Sequence, residues 1–300
     1  MIDISHKRSS LRYARTAGIL KATPEVIETV RNGKVPKGDV AATARSAGIQ
    51  AAKRASDWIV FCHSIPLDWV DITMKTGTDT LEFTAEVRSV WKTGMEMEAM
   101  TAAGAALLNA YDMLKPLQDD IEIGSIRLVE KSGGKSDMTD TFDPPLQAGL
   151  LSVSNAKKTG RRKDKSGEIL RNFLSNQPVE LRTDELVEED RDELAGKLQA
   201  LSGPDGLDLI LISGATGPTE SDITPEVIRQ VSDKLVPGIG EAMRHYGYER
   251  TPFAMHTDQV AGIKENTVMI ALPGSSRGTE ESLNALFPGL LHIFRMLRGR

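Results

Sequence analysis

Cysteine is nearly absent from the sequence, since Cys62 is the only one in 300 residues. A single cysteine cannot form an internal disulfide, and it cannot supply the ligands of a cysteine-based zinc cluster or an iron–sulfur centre. Any metal ion that the chain binds must therefore be held by oxygen or histidine ligands.

Long hydrophobic runs are also absent. No apolar stretch approaches the roughly 20 residues that a helix needs to cross a bilayer. The N-terminal "MIDISHKRSS" has no apolar segment of the kind found in secretion signals. We therefore expect a soluble, cytoplasmic protein with no membrane partner.

Positive charge is not in excess either: 37 Lys and Arg residues stand against 42 Asp and Glu residues, and the formal net charge is -5. Such a surface repels polyanions, so we expect no nucleic-acid partner. Local basic clusters are then expected to bind small anions. Two stand out, "EKSGGKSD" at 130–137 and "AKKTGRRKDKSG" at 156–167. A basic loop like the second is often only solvated surface, and that alternative stays open.

The length predicts two domains, because 300 residues can bury two separate hydrophobic cores. The polar segment 136–147 contains a Pro-Pro pair and separates two halves of different pattern. We predict one domain at 1–140 and a second at 147–300.

The N-terminal half predicts an α+β fold. "VDITMK" and "LEFTAEVRSV" alternate apolar and polar residues around a turn, two helical patterns precede them, and a long helix at about 94–117 leads to a last strand. This order favours an antiparallel sheet covered by helices on one face, in a ferredoxin-like arrangement.

The C-terminal half predicts an α/β fold. "AGLLSVS", "LDLILIS" and "TVMIALP" are short apolar runs, each followed by a loop and a helical pattern. The alternation predicts a doubly wound, mostly parallel sheet in three layers. Ligands of such sheets bind beyond the carboxyl ends of the strands.

Several candidate residues have ordinary explanations when they are considered alone. Asp112 and Lys115 lie three residues apart on one helix face, which is also typical of an exposed ion pair. His63 is by itself more typical of a packed or capped side chain, and Cys62 of an inert buried thiol.

Five blocks of the N-terminal half, together with "MIDIS" at the start, resemble the cyclic pyranopterin monophosphate synthase family, the MoaC proteins of molybdenum-cofactor assembly. The blocks are "KGDVAATARSAGIQAAKR", "CHSIPL", "KTGMEMEAMTA", "YDMLK" and "RLVEKSGGKS". The resemblance spans nearly all of residues 1–137, and Ser64 departs from the usual proline.

This resemblance implies a lyase without a cofactor, which converts (8S)-3',8-cyclo-7,8-dihydroguanosine 5'-triphosphate to cyclic pyranopterin monophosphate and diphosphate. Lys37, Asp112 and Lys115 match the catalytic positions. We expect Asp112 to orient lysine ammonium groups that transfer protons, and we expect the pKa of a lysine in this cluster of cations to be lowered.

The resemblance also implies a set of residues that contact substrate: Phe61, Cys62, His63, Met97 and Glu98. Gly133 and Gly134 let the main chain turn its N–H groups toward an anion, between the charges of Lys131 and Lys135. This loop is the expected phosphate site, to which Arg12 and Lys53 could contribute. The cations are expected to meet in one pocket, within a chain or between neighbouring subunits.

The C-terminal half resembles the molybdopterin-binding MoaB and MogA proteins from about Gly149 to the end. The blocks are "LLSVSNAKKTGRRKDKSG", "LVEED", "SGATG…SDITPE", "PGIGEAMR" and "ALPGSS". Asn155, Glu189, Ala215 and Ser276 depart from the usual residues. In the third block a glycine-rich turn leads into a helix that Thr224 is expected to cap.

This second resemblance implies transfer of adenylate from ATP to molybdopterin. Asp222 and Glu189 would hold Mg²⁺, and Gly214, Gly217 and Ser275 would face phosphates. The loop 157–165 would meet the pterin phosphate or the ATP tail. The alternative is that only the N-terminal domain is catalytic and the C-terminal domain is a noncatalytic pterin-binding or oligomerising module. Both resemblances imply threefold symmetry, so we predict a homo-hexamer.

Overall fold

A computed structural model describes residues 1–161 and 163–299 of the protein. The chain divides into two compact units, one ending at Asp137 and the other beginning at Met138. No helix in the described ranges is both long and apolar enough to span a membrane.

The first unit is a four-stranded sheet with helices. Its strands are β1 (Ser10–Lys21), β2 (Trp69–Thr76), β3 (Thr80–Trp91) and β4 (Glu122–Ser132), and its helices are α1 (Pro24–Arg31), α2 (Val40–Ala52), α3 (Ala55–Trp58) and α4 (Glu96–Leu114). The strand order is β2-β3-β1-β4, with antiparallel neighbours throughout. This βαββαβ connectivity is ferredoxin-like, so the predicted α+β class is confirmed.

Helices α2 and α4 pack closely because small residues line their contact. A Cβ added at Gly48 of α2 would lie 3.0 Å from the carbonyl oxygen of Ala102 in α4. Ala99, Ala103 and Ala106 of α4 are fully buried. This packing places the beginning of α2 beside the end of α4, where Lys37 contacts Asp112.

The second unit is a six-stranded sheet between helices. Its strands are β5 (Leu146–Val153), β6 (Val179–Val187), β7 (Leu209–Ser213), β8 (Lys234–Leu235), β9 (Ala261–Lys264) and β10 (Thr267–Leu272). Its helices are α5 (Asn155–Lys158), α6 (Lys165–Leu174), α7 (Arg191–Leu201), α8 (Thr224–Val231), α9 (Pro237–Tyr248), α10 (Ser276–Leu286) and α11 (His292–Leu297). The strand order is β6-β5-β7-β10-β9-β8; the first four strands are parallel, and β9 is antiparallel to both of its neighbours, β10 and β8.

Two hydrophobic cores cover the two faces of this second sheet. Leu150 of β5 belongs to one core and Leu151 to the other, because successive side chains of a strand point to opposite faces. The unit therefore has three layers, and the predicted α/β class is confirmed.

One expected helix cap is wrong. Helix α8 begins at Thr224, and Ile223 is the residue that precedes it. The Thr224 hydroxyl donates instead to the carbonyl oxygen of Gly214 at 2.8 Å. The side chain thus ties the helix to the glycine turn rather than capping the helix.

Candidate functional sites

Two lysines meet one carboxylate at the end of α4. Lys115 Nζ lies 2.7 Å from Asp112 Oδ1, and Lys37 Nζ lies 2.7 Å from Asp112 Oδ2. Lys37 also donates to the Asp112 carbonyl oxygen at 2.6 Å. The structure therefore brings together all three residues predicted to be catalytic.

The charges in this cluster shift one another's pKa. Hydrogen bonds from Lys115 and then Lys37 lower the pKa of Asp112 to about 2. In return, the hydrogen bond and charge of Asp112 raise the pKa of Lys115. The expected lowering of the lysine pKa is therefore wrong for Lys115 in the single chain, because a carboxylate at hydrogen-bond distance outweighs desolvation.

A cavity of about 630 Å³ lies at the other end of α4. All five residues expected to contact substrate line it, namely Phe61, Cys62, His63, Met97 and Glu98. The imidazole Nε2 of His63 lies 2.9 Å from the carbonyl oxygen of Ile2. Phe61 is 76% exposed, so the mouth of the cavity carries a large apolar surface.

Glu98 places a buried carboxylate in the lining of this cavity. It is only 3% exposed, and among the described residues its Oε2 has no hydrogen-bond partner. Its Oε1 accepts a hydrogen bond from Cys62 Sγ at 3.3 Å. Burial raises the pKa of Glu98, and burial together with Glu98 raises the pKa of Cys62 to about 11. The thiol is thus a neutral donor, and Oε2 is a buried acceptor for a ligand.

The segment 130–137, here called the glycine loop, begins at the rim of the same cavity. Lys131 Nζ lies 3.2 Å from Oε1 of Glu96, which itself lines the cavity. Gly133 has φ +89°, and an added Cβ would lie 1.8 Å from the carbonyl oxygen of Leu11. Its N–H donates to Asp137 Oδ2 at 2.7 Å. Gly134 follows Gly133, and Lys135 begins the 3-10 turn Lys135–Met138.

Of the two remaining predicted cations, Arg12 lies beside the glycine loop. The Arg12 guanidinium donates to the carbonyl oxygens of Trp91 and Lys92 at 3.4 and 3.5 Å. Its backbone adjoins Gly133, since an added Cβ there would lie 3.2 Å from the Arg12 Cα. Lys53 is exposed at the end of α2.

The two groups of predicted residues are well separated within one chain. Glu98 and Asp112 are fourteen positions apart on α4, which corresponds to ~21 Å at 1.5 Å per residue. The cations at 37 and 115 therefore do not meet those at 131 and 135 inside a single subunit.

In the second unit, the predicted glycines shape the loop after β7. Gly214 has φ +105°, and an added Cβ would lie 2.5 Å from the carbonyl oxygen of Val153. An added Cβ at Gly217 would lie 2.7 Å from Asp222 Oδ2. The same carboxylate oxygen accepts hydrogen bonds from the N–H and hydroxyl of Thr219. Burial raises the pKa of Asp222, but these bonds and one from Gly217 outweigh it, so the pKa is lowered overall.

Glu189 does not face Asp222 across the same loop. It follows β6 and exchanges hydrogen bonds with Asn155: its carboxylate accepts from the Asn155 backbone and side chain at 3.2 and 3.3 Å, and its own N–H donates to Asn155 Oδ1 at 3.0 Å. Strand β5 lies between β6 and β7. Among residues 1–161 and 163–299, no group of three or more His, Cys, Asp or Glu side chains could hold a metal ion.

The basic loop of the second unit folds around a cavity of about 380 Å³. The lining residues are Lys157, Arg161, Lys163, Lys165, Ser166, Gly274 and Ser276. Arg162 lies outside the described residues. Buried Lys157 is held by Asp164 Oδ1 and Ser166 Oγ, each at 2.7 Å. Ser275 accepts from the N–H of Gly278 at the start of α10 and lines a separate cavity of about 280 Å³.

Sequence reasoning missed the role of two acidic residues in the first unit. Glu96, the first residue of α4, was not selected as a site residue, yet it lines the same cavity as Glu98. Asp137 ends the quoted glycine motif, but nothing in the sequence indicated that it would bind the loop's own N–H.

Comparison with known proteins gives matches over both units. The MoaC family matches residues 1–134, and the probable molybdopterin binding domain matches residues 149–292. Both resemblances read from the sequence are confirmed.

Two relatives of similar length are named "Molybdenum cofactor biosynthesis bifunctional protein". The protein from Chlorobaculum tepidum is 35% identical over 299 residues, covering 100% of this chain and 95% of the relative. The protein from Synechococcus elongatus is 37% identical over 312 residues, covering 100% of this chain and 98% of the relative.

Shorter proteins match each half. A cyclic pyranopterin monophosphate synthase from Roseiflexus sp. is 48% identical over 138 residues, covering 45% of this chain and 87% of the relative. The solved structure of the molybdopterin biosynthesis enzyme MoaB from Thermus thermophilus is 37% identical, with a TM-score of 0.49, and covers 52% of this chain and 98% of that chain.

Proposed function

Because the chain belongs to the bifunctional molybdenum cofactor biosynthesis proteins, we propose that each unit catalyses one step of that pathway. The first unit converts (8S)-3',8-cyclo-7,8-dihydroguanosine 5'-triphosphate to cyclic pyranopterin monophosphate and diphosphate. The second unit adenylylates molybdopterin with MgATP. The observation that carries the first assignment is the meeting of Lys37 and Lys115 on the carboxylate of Asp112.

The cavity beside Glu98 is suited to the purine ring of the substrate. A guanine-type ring presents neighbouring N–H donors, and the free Oε2 of Glu98 is a buried acceptor that needs one. The thiol of Cys62 keeps the other carboxylate oxygen in place. Binding a donor would satisfy a group whose burial is otherwise unfavourable, which makes the site selective for rings that carry such donors.

The glycine loop is suited to the phosphate tail. Lys131 lies at the rim of the cavity through its contact with Glu96, and Gly133 presents a backbone N–H whose direction is set by its positive φ. Backbone N–H groups and ammonium groups are the donors that bind phosphoryl oxygens. Lys135 lies in this loop and Arg12 beside it; we assign exposed Lys53 to the same site, where all three would add positive charge.

Proton transfer is assigned to the lysines at the other end of α4. Asp112 stays ionised across the physiological range because its pKa is about 2, so it can hold and orient both ammonium groups. The raised pKa of Lys115 keeps that lysine protonated, which suits a proton donor at the start of the reaction. Lys37 shares the carboxylate and is assigned as the second proton-transfer group.

A neighbouring subunit is needed to complete this site. The cavity and the lysines lie ~21 Å apart along α4. Phe61, which lines the cavity, is 76% exposed, and its sequence neighbours Trp58 and Val60 are 68% and 82% exposed. Exposed apolar side chains of this extent are typical of surfaces that another protein covers. We place the cavity of one subunit beside the lysines of the next, in a homo-hexamer.

In the second unit, Asp222 fits Mg²⁺ better than Glu189 does. Its ionised carboxylate lies on the loop after β7, beside Gly217. Glu189 is engaged by Asn155. Magnesium is commonly held by one or two carboxylates plus substrate phosphates, so one protein carboxylate is sufficient. When bound, Mg²⁺ would neutralise charge on the ATP phosphates.

The remaining parts of the second unit would then bind phosphate and pterin. The cavity formed by the loop 157–165 carries four cationic side chains, which suits a phosphorylated pterin or the ATP tail. Gly214 and Ser275 would face phosphates. Relatives that cover the full chain are named bifunctional, which favours adenylyl transfer over a noncatalytic module.

The experiment uses the purified full chain in two separate assays, one with the cyclised nucleotide and one with molybdopterin, ATP and Mg²⁺. We expect cyclic pyranopterin monophosphate and diphosphate in the first and adenylylated molybdopterin in the second. Absence of the first product would refute the lyase assignment. Absence of the second, beside an active adenylyltransferase control, would refute adenylyl transfer. Light scattering should give a hexamer, and the nucleotide substrates support a cytoplasmic location.

A further inference from the structure

The glycine loop of the first unit is already bound to carboxylates of its own chain. The N–H of Gly133 donates to Asp137 Oδ2 at 2.7 Å, and Lys131 Nζ lies 3.2 Å from Glu96 Oε1. A backbone N–H and an ammonium group in such a loop are the groups that would bind a phosphoryl oxygen. A ligand phosphate must therefore exchange with these carboxylates rather than enter a vacant site.

The geometry of Gly133 makes this exchange unavoidable. The residue has φ +89°, and an added Cβ would lie 1.8 Å from the Leu11 carbonyl oxygen. Its own carbonyl oxygen accepts a hydrogen bond from Ser10 Oγ at 2.8 Å. With the backbone held on both sides, the N–H cannot turn away from Asp137 toward a second anion.

Asp137 reaches the loop because the chain turns back immediately after it. The turn Lys135–Met138 follows Gly134, and the Asp137 N–H donates to the Gly134 carbonyl oxygen at 3.2 Å. A carboxylate tethered four residues away acts at an effective concentration on the order of millimolar or above. It therefore competes with any free anion for the Gly133 N–H.

We propose that Asp137 is an internal competitor that sets the affinity of the glycine loop for phosphoryl groups. This inference rests on the proposed function of the first unit, in which the loop binds the phosphate tail and diphosphate is a product. One N–H can serve only one acceptor well, and two anions at the same point repel each other. Asp137 thereby weakens binding of free diphosphate and favours its release.

The experiment measures the binding of inorganic diphosphate to the full chain by calorimetry. Asp137→Asn keeps the size of the side chain and removes its charge, and Asp137→Ala removes the competitor altogether. We expect both variants to bind diphosphate more tightly than the unmodified chain, by roughly 3- to 10-fold. The inhibition constant of diphosphate in the lyase assay should fall by the same factor.

Asp143→Asn is the matched control, because it removes the same charge from an exposed position six residues later. It should bind diphosphate like the unmodified chain. An affinity of both Asp137 variants within twofold of this control would overturn the proposal. Thermal unfolding of each variant shows whether the first unit is intact.

The amide NMR signal of Gly133 separates this proposal from the function on which it rests. Addition of diphosphate should shift this signal in the unmodified chain, at lower concentration in Asp137→Asn. A signal that shifts at equal concentrations in both proteins would overturn the competition but keep the phosphate site. A signal that never shifts would overturn the phosphate site and the competition with it.

Discussion

The two units of the protein are alike in the close backbone contacts of their loop glycines, and they differ in where their charged site residues lie. In both loops that we propose to bind phosphate, a side chain would collide with a carbonyl oxygen, that of Leu11 at Gly133 and that of Val153 at Gly214. The charged groups differ: those of the first unit lie at the two ends of α4, whereas those of the second follow adjacent parallel strands. A parallel sheet gathers its loops at one edge within one chain, and an antiparallel sheet does not. We therefore expect the first site to depend on assembly of subunits and the second to be complete within one chain.

The largest expected effect comes from Asp112→Asn. Without the carboxylate, the two lysines lose the group that orients them, so formation of cyclic pyranopterin monophosphate should fall about 10³-fold. Adenylyl transfer by the same preparation should be unchanged. Asp119→Asn, at an exposed position in the following loop, is the control. A parallel loss of both activities would contradict the independence of the two sites.

Asp222→Asn is the reciprocal change and should have the next largest effect. It removes the carboxylate assigned to Mg²⁺, so adenylyl transfer should fall about 10²-fold, and additional Mg²⁺ should restore part of it. The lyase activity should be unaffected. Exposed Asp205 offers the matched substitution Asp205→Asn. Unchanged adenylyl transfer in the Asp222 variant would remove this residue from the site.

Gly214→Ala should lower the stability of the second unit alone. The positive φ and the approach to Val153 should cost about 2–3 kcal/mol of unfolding free energy. All three tryptophans lie in the first unit, so their fluorescence should report no change while circular dichroism shows an earlier transition. Gly196→Ala, where an added Cβ meets no atom within 4 Å, should be neutral or stabilising. Equal effects at both glycines would refute the strain at Gly214.

Glu98→Gln should have the smallest effect on stability, and the size of this effect depends on pH. Burial raises the pKa of Glu98, so the folded state favours the protonated form, and stability falls as pH rises from the ordinary glutamate pKa through the raised one. The variant cannot ionise, so it should be more stable than the unmodified chain at pH 8 and equally stable at pH 4. Tryptophan fluorescence during urea unfolding measures this difference, and a gain that does not depend on pH would contradict it.

The fold was predictable where strands bury one regular face. Strand β3 alternates so strictly that Leu81, Phe83, Ala85 and Val87 are all fully buried. Burial also alternates regularly along β6, an edge strand of the second sheet. Many of its residues are charged, so the sequence did not reveal this strand. Strand β1 was also missed, because its buried face includes the polar residue Thr16, whose hydroxyl donates to the Ala99 carbonyl oxygen of α4.

For the candidate site, the motifs selected residues that the structure places together, but they did not reveal all of the pairings. Motif resemblance selected Lys37, Asp112 and Lys115, and the structure places them in contact. Resemblance could not show that Glu189 binds Asn155, nor that Asp112 raises the pKa of Lys115. Such pairings depend on contacts between side chains that are distant in sequence or set by local geometry. A local sequence pattern does not encode these contacts.

The length of α4 has a consequence for assemblies that contain two different variants of the chain. In an assembly that joins opposite ends of this helix across subunits, a chain defective at Asp112 still contributes an intact Glu98, and a chain defective at Glu98 still contributes an intact lysine cluster. Two such chains, each inactive by itself, should restore activity when they are expressed together. In every pair that contains one chain of each kind, one of the two sites combines the intact Glu98 of one chain with the intact lysine cluster of the other.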